Sequence, residues 1–224
     1  MHPFRLPQRV IERVVERRGQ VNVIDRLEPS RTALVVIDMQ NTFCAEGAAA
    51  EVPMARAIVP NINRLAQAAR AAGGIVVWVQ MTITDRATWP VFLDMVAPLR
   101  AEQIVAELRP GSLGHALWPE LQSAAGDLVV TKDRFSAFLP SASALPGILT
   151  EKGIDTAIIV GTLTNVCCES SARDAVMLNF KTMLVSDANA ARSDEEHMAT
   201  LVTFIQSFGD VRTTDEVIDL LRNS

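Results

Sequence analysis

The sequence has few cysteines, and their number limits the class of protein. Its 224 residues include only Cys44, Cys167 and Cys168. A small, odd number of cysteines is not a disulfide framework, so it predicts a reducing, cytoplasmic setting. The chain also lacks a run of the roughly 18 to 20 apolar residues that would span a bilayer, and residues 1–22 lack the apolar core of a signal peptide. We therefore expect neither export nor a membrane anchor.

An excess of basic residues is missing as well. Lys and Arg number 21 against 26 Asp and Glu, which gives a net charge of −5, and the basic residues are scattered along the chain. Proteins that bind nucleic acid or anionic membranes concentrate positive charge on one surface, so we expect neither partner. The hydrophobic share of 49% is typical of a globular domain. The expected partner is a small molecule.

The alternation of apolar runs and helical patterns indicates the fold class. Short apolar runs that end at polar residues are typical of strands buried on both faces of a parallel sheet. Each crossover between such strands covers one face of the sheet. We therefore predict an α/β protein, three-layer α/β/α, with a six-stranded, mostly parallel, Rossmann-like sheet. The predicted strands are residues 33–38, 75–80, 127–132, 156–160, 181–186 and 210–213.

Two segments stand outside this alternation. Residues 7–18 carry apolar side chains on one face and predict a short amphipathic helix, so we divide the chain into an N-terminal helical arm, residues 1–28, and a single domain, residues 29–224. The arm is expected to pack on the domain or on a neighbouring subunit, or else to be a frayed tail. Residues 81–125 contain prolines and glycines that break long elements. They predict one or two short helices in an irregular cover, a length that often indicates a lid.

One turn has the features of a site for a reactive thiol. An apolar, β-branched run stops at Gly161, turns through small polar residues and reaches Cys167 where a helical pattern begins. A helix start offers unpaired N–H groups and the positive end of a dipole, which favour a thiolate and can bind an oxyanion. Side chains in the first turn point about 100° apart, so only one of Cys167 and Cys168 can face such a site. A buried cysteine that only packs is the alternative.

Two other predicted strands end in charged residues. Asp38 ends the first strand and Lys132 the third, at the edge where open α/β sheets bind ligands. Asp38 could accept a thiol proton and return it to a leaving amine, and Lys132 would favour the thiolate. Alternatively, Asp38 caps a helix and Lys132 extends into solvent. The usual base, histidine, is not where it is needed, because His2 lies in the tail, His115 in the cover and His197 in a late helix.

The motifs around these residues resemble those of the isochorismatase-like cysteine hydrolases. They are Val-Val-Ile-Asp-Met-Gln-Asn at 35–41, Lys-Asp-Arg-Phe-Ser-Ala-Phe at 132–138, and Gly-Thr-Leu-Thr-Asn-Val-Cys-Cys-Glu-Ser at 161–170. The resemblance covers about residues 30–215 in the family's order. The Thr-Asn-Val-Cys turn and the Lys-x-Arg-Phe-Ser-x-Phe segment are most similar to the ureidoacrylate amidohydrolase branch. The resemblance therefore implies that residues 29–224 form an isochorismatase-like hydrolase domain.

The resemblance also implies roles for individual residues. Asp38, Lys132 and Cys167 would be the catalytic triad, with Cys167 attacking an amide or carbamoyl carbon, and Cys168 would only pack. A cis peptide bond is implied before Leu163, whose N–H would form an oxyanion hole with the N–H of Cys167. The nicotinamidase branch carries an Asp and several His as a metal site after the second strand, whereas residues 80–85 contain no histidine. We therefore expect no metal and no cofactor.

The sequence identifies the residues that would contact the substrate less clearly than the catalytic residues. The side chains of Asn41, Gln80 and Asn165 could bind the polar end of an amide or ureido substrate, or could satisfy loop backbone instead. Phe135 and Trp89 are candidates for the pocket wall, or for plain packing.

The function predicted on these grounds is hydrolysis of a C–N bond in a small amide, ureido or carbamoyl substrate, through a thioester on Cys167. One alternative is a vinyl-ether hydrolase of the isochorismatase type, which needs no thiol nucleophile. Another is a non-catalytic member of the fold that acts in binding or assembly. The resemblance and the arm favour a homo-oligomer, a dimer or tetramer.

Overall fold

The computed structural model describes residues 2–223 and has one parallel sheet at its centre. The strands lie in the order β3-β2-β1-β4-β5-β6, and all neighbouring pairs are parallel. In chain order they are β1 (Thr32–Ile37), β2 (Ile75–Met81), β3 (Leu128–Lys132), β4 (Thr156–Thr162), β5 (Lys181–Ala190) and β6 (Asp210–Arg212). The predicted fold class is confirmed, and the sheet is wholly parallel.

Helices connect the strands and cover both faces of the sheet. Those of the described residues are α1 (Gln8–Arg18), α2 (Asn41–Cys44), α3 (Ala55–Ala72), α4 (Pro90–Asp94), α5 (Pro98–Leu108), α6 (Leu145–Glu151), α7 (Glu169–Met177), α8 (Asp194–Ser207) and α9 (Thr214–Arg222). Short 3₁₀ turns lie at Pro29–Arg31 and Arg86–Thr88, and a π-type turn at Thr164–Cys168 leads directly into α7. Within residues 2–223, none of these helices is both long and apolar enough to cross a membrane.

The alternation of side chains along β1 divides the core into two layers. Val35 and Ile37 pack with α6, α7 and α8, whereas Leu34 and Val36 pack with α3 and α9. Every residue of β1 is buried. Full burial of an aliphatic side chain contributes about 1.5 to 3 kcal/mol, which favours a strand that is apolar on both faces. This is why the sequence of β1 reads as one continuous apolar run.

Helix α1 packs on α8 of the same chain. Val10 and Val14 are buried in the core layer that contains α8, and Arg13 Nη1 donates to Gln206 Oε1 at 2.9 Å. Arg18 adds an ion pair with the buried carboxylate of Asp210. The predicted helix is therefore confirmed, and the alternative of a frayed tail is wrong. The division into an arm and a domain at residue 28 stays a prediction.

Strand β5 extends beyond its predicted end at Ser186 to Ala190. Its register with β4 shifts after Ile159, and the side chain of Asn189 donates to the carbonyl oxygens of Ile159 at 3.0 Å and Val185 at 2.8 Å. The amide thus satisfies carbonyl groups at the point where the ladder is irregular. The polar residues of this segment are typical of a loop, so the sequence pattern ends the strand too early.

The cover of the carboxyl edge contains two helices, as predicted. Leu93 of α4 and Ile104 of α5 pack with Phe43 of α2 in a third apolar cluster, beside the carboxyl ends of the strands. The short helix α2 is absent from the sequence prediction, because a stretch of four residues shows no periodicity. Part of this third cluster, including Phe43 and Ile104, borders the cavity described below.

Candidate active site

Three connections bring Asp38, Lys132 and Cys167 together at the carboxyl edge of the sheet. Asp38 follows β1, Lys132 is the last residue of β3, and Cys167 lies in the Thr164–Cys168 turn after β4. Strands β1 and β4 are neighbours from which the chain extends the sheet in opposite directions. Such a switch point opens a crevice beyond the strand ends, where ligands of open α/β sheets bind.

Asp38 and Lys132 form a buried ion pair. Lys132 Nζ donates to Asp38 Oδ2 at 2.8 Å, and both side chains are 0% exposed. The same ammonium donates to the carbonyl oxygen of Arg134 at 3.1 Å and lies 3.5 Å from Met81 Sδ. A buried charge without partners would cost several kcal/mol, so each member of the pair requires the other. The extension of Lys132 into solvent, the alternative from the sequence, is wrong.

The backbone of Asp38 has an unusual conformation. Its φ of 53° lies in the left-handed region, which non-glycine residues seldom adopt and which aspartate tolerates better than most. Its N–H donates to the carbonyl oxygen of Val79 on β2 at 3.0 Å. The conformation ends β1 and leaves the carboxyl group fully buried between Lys132 and Cys167.

The three groups shift one another's pKa values. Burial raises the pKa of Asp38, although its interactions with Lys132 and Cys167 act in the opposite direction. Burial alone would lower the pKa of Lys132, but the charges of Asp38 and Cys167 outweigh it and raise that pKa. Burial also raises the pKa of the Cys167 thiol, which Lys132 lowers and Asp38 raises. Burial thus favours the protonated thiol of Cys167 and makes the carboxylate form of Asp38 a stronger base than that of an ordinary aspartate.

One oxygen of Asp38 remains available. Within residues 2–223, Oδ1 has no partner that meets hydrogen-bond geometry, while Oδ2 accepts from Lys132. A buried carboxylate oxygen that lies beside a thiol can accept the proton of that thiol. The neighbouring Cys167 thiol is the group whose proton it can receive.

The turn before Cys167 depends on a glycine and contains a cis peptide bond. Gly161 has a φ of 116°, and a Cβ atom there would lie 2.1 Å from the carbonyl oxygen of Ile37 on β1. Only glycine allows β4 to pass β1 at this distance. The Thr162–Leu163 peptide bond is cis, as the family resemblance implies. The carbonyl oxygen of Leu163 then accepts from the N–H of Cys168 at 3.1 Å.

The three cysteines have different surroundings. All are free and buried, but only Cys167 borders the cavity at the carboxyl edge. Cys168 is fully buried in the core layer with α7, where burial raises its pKa well above the ordinary value. Cys44 lies in the opposite layer, and burial raises its pKa to about 12.

A cavity of about 280 Å³ opens in front of Cys167. Most of its wall is apolar, and the charged side chains of the described chain that border it are Arg100 from α5 and Arg192 after β5. Neither guanidinium forms an ion pair within residues 2–223. The bordering residues are Phe43, Ala49, Ala50, Met81, Phe92, Val96, Arg100, Ile104, Leu108, Phe135, Leu163, Val166, Cys167 and Arg192.

Phe135 is the one member of the predicted substrate-binding set that borders the cavity. Its ring makes edge contacts with Trp89 at 4.6 Å and with Phe92 at 5.5 Å between centroids. This aromatic group joins the Lys132 loop to the cover. Trp89 supports Phe135 from behind and does not border the cavity.

The three predicted amides lie elsewhere. Asn41 Nδ2 donates to the carbonyl oxygen of Leu113 at 2.7 Å, and Gln80 Nε2 donates to that of His115 at 2.8 Å. Neither residue borders the cavity, and neither does Asn165, whose Oδ1 is buried without a hydrogen-bond partner in the described chain. In this structure Asn41 and Gln80 hold the loop of residues 113–115 to the strand ends.

Sequence reasoning missed both cavity arginines. Arg192 follows β5, so a correct end for that strand would have placed it on the same edge as Asp38 and Lys132. Arg100 lies on a cover helix, for which the sequence pattern gives no orientation relative to the sheet. Within residues 2–223, no three His, Cys, Asp or Glu side chains are grouped as metal ligands.

Fold and site together define an α/β protein of the three-layer class, with a buried Asp–Lys–Cys group at the carboxyl edge of a parallel sheet. The sequence model of the family described as "Isochorismatase domain" matches residues 32–216, which is most of the chain. The protein therefore belongs to the isochorismatase family, whose related members include hydrolases of small amides.

Individual relatives agree with this assignment. The chain is similar to the ureidoacrylate amidohydrolase RutB of Agrobacterium fabrum, with 31% identity over 206 residues, 85% of this chain and 90% of that protein. A crystal structure of a cysteine hydrolase from Pseudomonas syringae pv. phaseolicola has a TM-score of 0.81 at 32% identity and covers 88% of this chain and 95% of its own. The N-carbamoylsarcosine amidase of Thermoplasma acidophilum has a TM-score of 0.67 at 27% identity, with 83% and 97% covered.

Proposed function

We propose that the protein is a cysteine amidohydrolase that cleaves the C–N bond of a small amide, ureido or carbamoyl substrate through a thioester on Cys167. The observation that carries this proposal is the fully buried Asp38–Lys132 pair beside a cysteine that borders a cavity of about 280 Å³. Burial of two charges is expensive, and a purely structural role would be served as well by apolar side chains of the same volume.

The proposed reaction begins with proton transfer from the Cys167 thiol to Oδ1 of Asp38. Sγ then forms a bond to the substrate carbonyl carbon, and the carbonyl oxygen becomes an oxyanion. The N–H groups of Leu163 and Cys167 are the proposed oxyanion hole. Lys132 holds the carboxyl group through Oδ2 and offsets negative charge in the buried site.

Collapse of the intermediate breaks the C–N bond. Asp38 returns its proton to the leaving nitrogen, so that the amine or ammonia departs neutral and a thioester remains on Cys167. A water molecule then gives a proton to Asp38 and adds to the thioester carbon. Collapse of this second intermediate breaks the C–S bond and releases the acid product, and the Cys167 thiolate takes the proton back from Asp38. The cycle uses no oxidant, metal or cofactor.

The cavity supports a particular kind of substrate. Its volume of about 280 Å³ fits a small molecule, and its wall combines apolar side chains with the guanidinium groups of Arg100 and Arg192. We propose a substrate with a compact apolar body, the scissile amide at one end and an anionic group, such as a carboxylate, at the other. Phe135 would contact the body. Asn41, Gln80 and Asn165 do not border the cavity and would therefore not contact the substrate in this arrangement.

The remaining parts of the proposal follow the sequence. A reduced thiol nucleophile suits the cytoplasm, where free cysteines are maintained. The proposed partner is the small-molecule amide or ureido substrate, and a dimer or tetramer is the proposed assembly.

An ammonia-release screen tests the proposed function. Ureido acids, biuret-like compounds, nicotinamide and simple amides are offered to the wild type, to Cys167→Ala and to the matched control Cys168→Ala. We expect turnover of at least one acid-bearing amide by the wild type and by Cys168→Ala, and none by Cys167→Ala with its circular dichroism unchanged. Wild-type rates in Cys167→Ala would refute the proposal, and so would turnover that persists after iodoacetamide has labelled Cys167.

A further inference from the structure

His2 lies outside the family-matched residues 32–216, yet its side chain is buried in the main body of the protein. Its ring stacks on that of His197 with 4.6 Å between centroids and 22° between planes. Nε2 of His2 accepts from the N–H of Ala191 at 3.0 Å, and Nδ1 lies 2.6 Å from Asp194 Oδ1. Nε2 also lies 3.2 Å from the carbonyl oxygen of Ala191, so both ring nitrogens of His2 have polar partners in the segment after β5.

His197 connects this stack to the turn that carries Cys167. The ring of His197 is 0% exposed, and its Nδ1 lies 2.9 Å from Oγ1 of Thr164. Thr164 is the first residue of the Thr164–Cys168 turn. Nε2 of His197 has no hydrogen-bond partner within residues 2–223. The buried imidazole thus contacts the turn through one hydrogen bond and stacks on the ring of His2, with a further backbone interaction at Ser186.

The second contact of His2 reaches the other side of the same turn. Ala191, which donates to His2, follows Ala190, and the carbonyl oxygen of Ala190 accepts from Oγ1 of Thr162 at 3.2 Å. Thr162 precedes the cis peptide bond. Arg192, the next residue after Ala191, borders the cavity. His2 is thus linked to both ends of the turn, through His197 to Thr164 and through the Ala190–Ala191 segment to Thr162. The same segment continues into the cavity wall at Arg192.

We infer that His2 and His197 are positioning residues, through which the N-terminal arm holds the Cys167 turn in the geometry that the reaction needs. Neither residue borders the cavity, so neither contacts substrate. The contacts are directional hydrogen bonds and a ring stack, whereas an arm that only packed would need apolar side chains such as those of Val10 and Val14. The expected effect on kcat rests on the proposed function, whereas the expected effect on the alkylation rate of the Cys167 thiol does not.

The test compares His2→Ala, which removes the whole contact, with His2→Phe, which keeps a ring for stacking and loses both hydrogen bonds. Arg13→Ala is the matched control, because it loosens the arm at Gln206 and leaves His2 unchanged. Two quantities are measured: the alkylation rate of Cys167 with iodoacetamide, followed by mass spectrometry of its peptide, and kcat and KM for the best amide found. Circular dichroism reports the fold.

For His2→Ala we expect alkylation of Cys167 to rise and kcat to fall, each by about tenfold, with KM within about twofold, since small displacements of a nucleophile cost rate more than binding. His2→Phe should lie between His2→Ala and the wild type, and Arg13→Ala should match the wild type. Thr164→Val, which removes the hydroxyl that contacts His197, should change both quantities in the same direction as His2→Ala.

Equal alkylation rates in His2→Ala, Thr164→Val and the wild type would overturn the inference, and would mean that the arm only adds stability. So would a loss of kcat in Arg13→Ala as large as in His2→Ala. If the wild type turns over no amide, the proposed function fails, and the alkylation rates still decide whether the arm positions the turn.

Discussion

Removal of Lys132 tests the chemistry of the buried pair most directly. Lys132→Met keeps the length of the side chain but deletes the ammonium that donates to Asp38 at 2.8 Å and to the Arg134 carbonyl at 3.1 Å. The carboxyl group of Asp38 stays fully buried without a counter-charge. Breaking a buried pair by removing one partner costs about 3 to 5 kcal/mol, so we expect a loss of this size in the free energy of unfolding near neutral pH.

The loss should depend on pH with a defined sign. Burial already raises the pKa of Asp38 in the presence of Lys132, and without the ammonium the folded state holds the proton still more strongly. Above the ordinary pKa of aspartate, the unfolded chain releases a proton that the folded variant keeps. The stability of Lys132→Met should therefore fall as pH rises, by about 1.4 kcal/mol per pH unit, and should approach that of the wild type in acid.

Urea denaturation followed by circular dichroism measures both effects. Lys132→Met combined with Asp38→Asn should recover most of the lost stability, because no charge then remains buried, while amide hydrolysis stays absent. Lys181→Met is a matched control: this lysine is exposed and lies 3.8 Å from Asp155, so its loss should change stability by less than about 1 kcal/mol. A double variant as unstable as the sum of its two single variants, or a single variant whose stability does not change with pH, would refute the reasoning.

Three further predictions follow from the site. Gly161→Ala should lower the free energy of unfolding by at least about 3 kcal/mol, or prevent folding, because its Cβ would lie 2.1 Å from the carbonyl oxygen of Ile37. Urea denaturation measures the loss, and a loss below about 1 kcal/mol would contradict the prediction. Arg100→Ala and Arg192→Ala should each raise KM about tenfold for an amide that bears a carboxylate and leave KM for a matched neutral amide unchanged. Steady-state kinetics on the two substrates measures this, and equal effects on both would exclude an anion contact. Burial and His2 lower the pKa of His197 from 6.5 to about 4, so between these pH values the unfolded chain binds a proton that the folded state does not bind. The free energy of unfolding should therefore fall as pH drops from about 6.5 to about 4, by at most about 1.4 kcal/mol per pH unit. Denaturation experiments on His197→Asn should lack this part of the pH dependence.

The sequence was most informative where one physical rule determines the outcome. Apolar runs predict strands covered on both faces, and every residue of β1 is indeed buried. In a parallel sheet all carboxyl ends lie at one edge. Asp38 and Lys132 could therefore be placed near the Cys167 turn before any distance was known.

The strand order and the partners of polar side chains could not be predicted in this way. An amide such as Asn41 or Gln80 binds whichever acceptor the loops bring near, and here the acceptors are the carbonyl groups of Leu113 and His115. Asn189 continues β5 through a segment with the composition of a loop, because its side chain replaces ladder hydrogen bonds. Such contacts depend on residues far apart in the chain, and no local pattern encodes them.

The amino-acid sequence by itself determined the fold class, the edge of the sheet that carries the site and the kinds of groups present there, because these follow from periodicity and from the direction of parallel strands. Only the tertiary structure decided that Lys132 is buried against Asp38 and that Arg100 and Arg192 border the cavity in front of Cys167. It also brought His2 next to Ala191, 189 positions away in the chain. The reason is that many alternative contacts have similar local energies, so which of them form depends on how the whole chain packs.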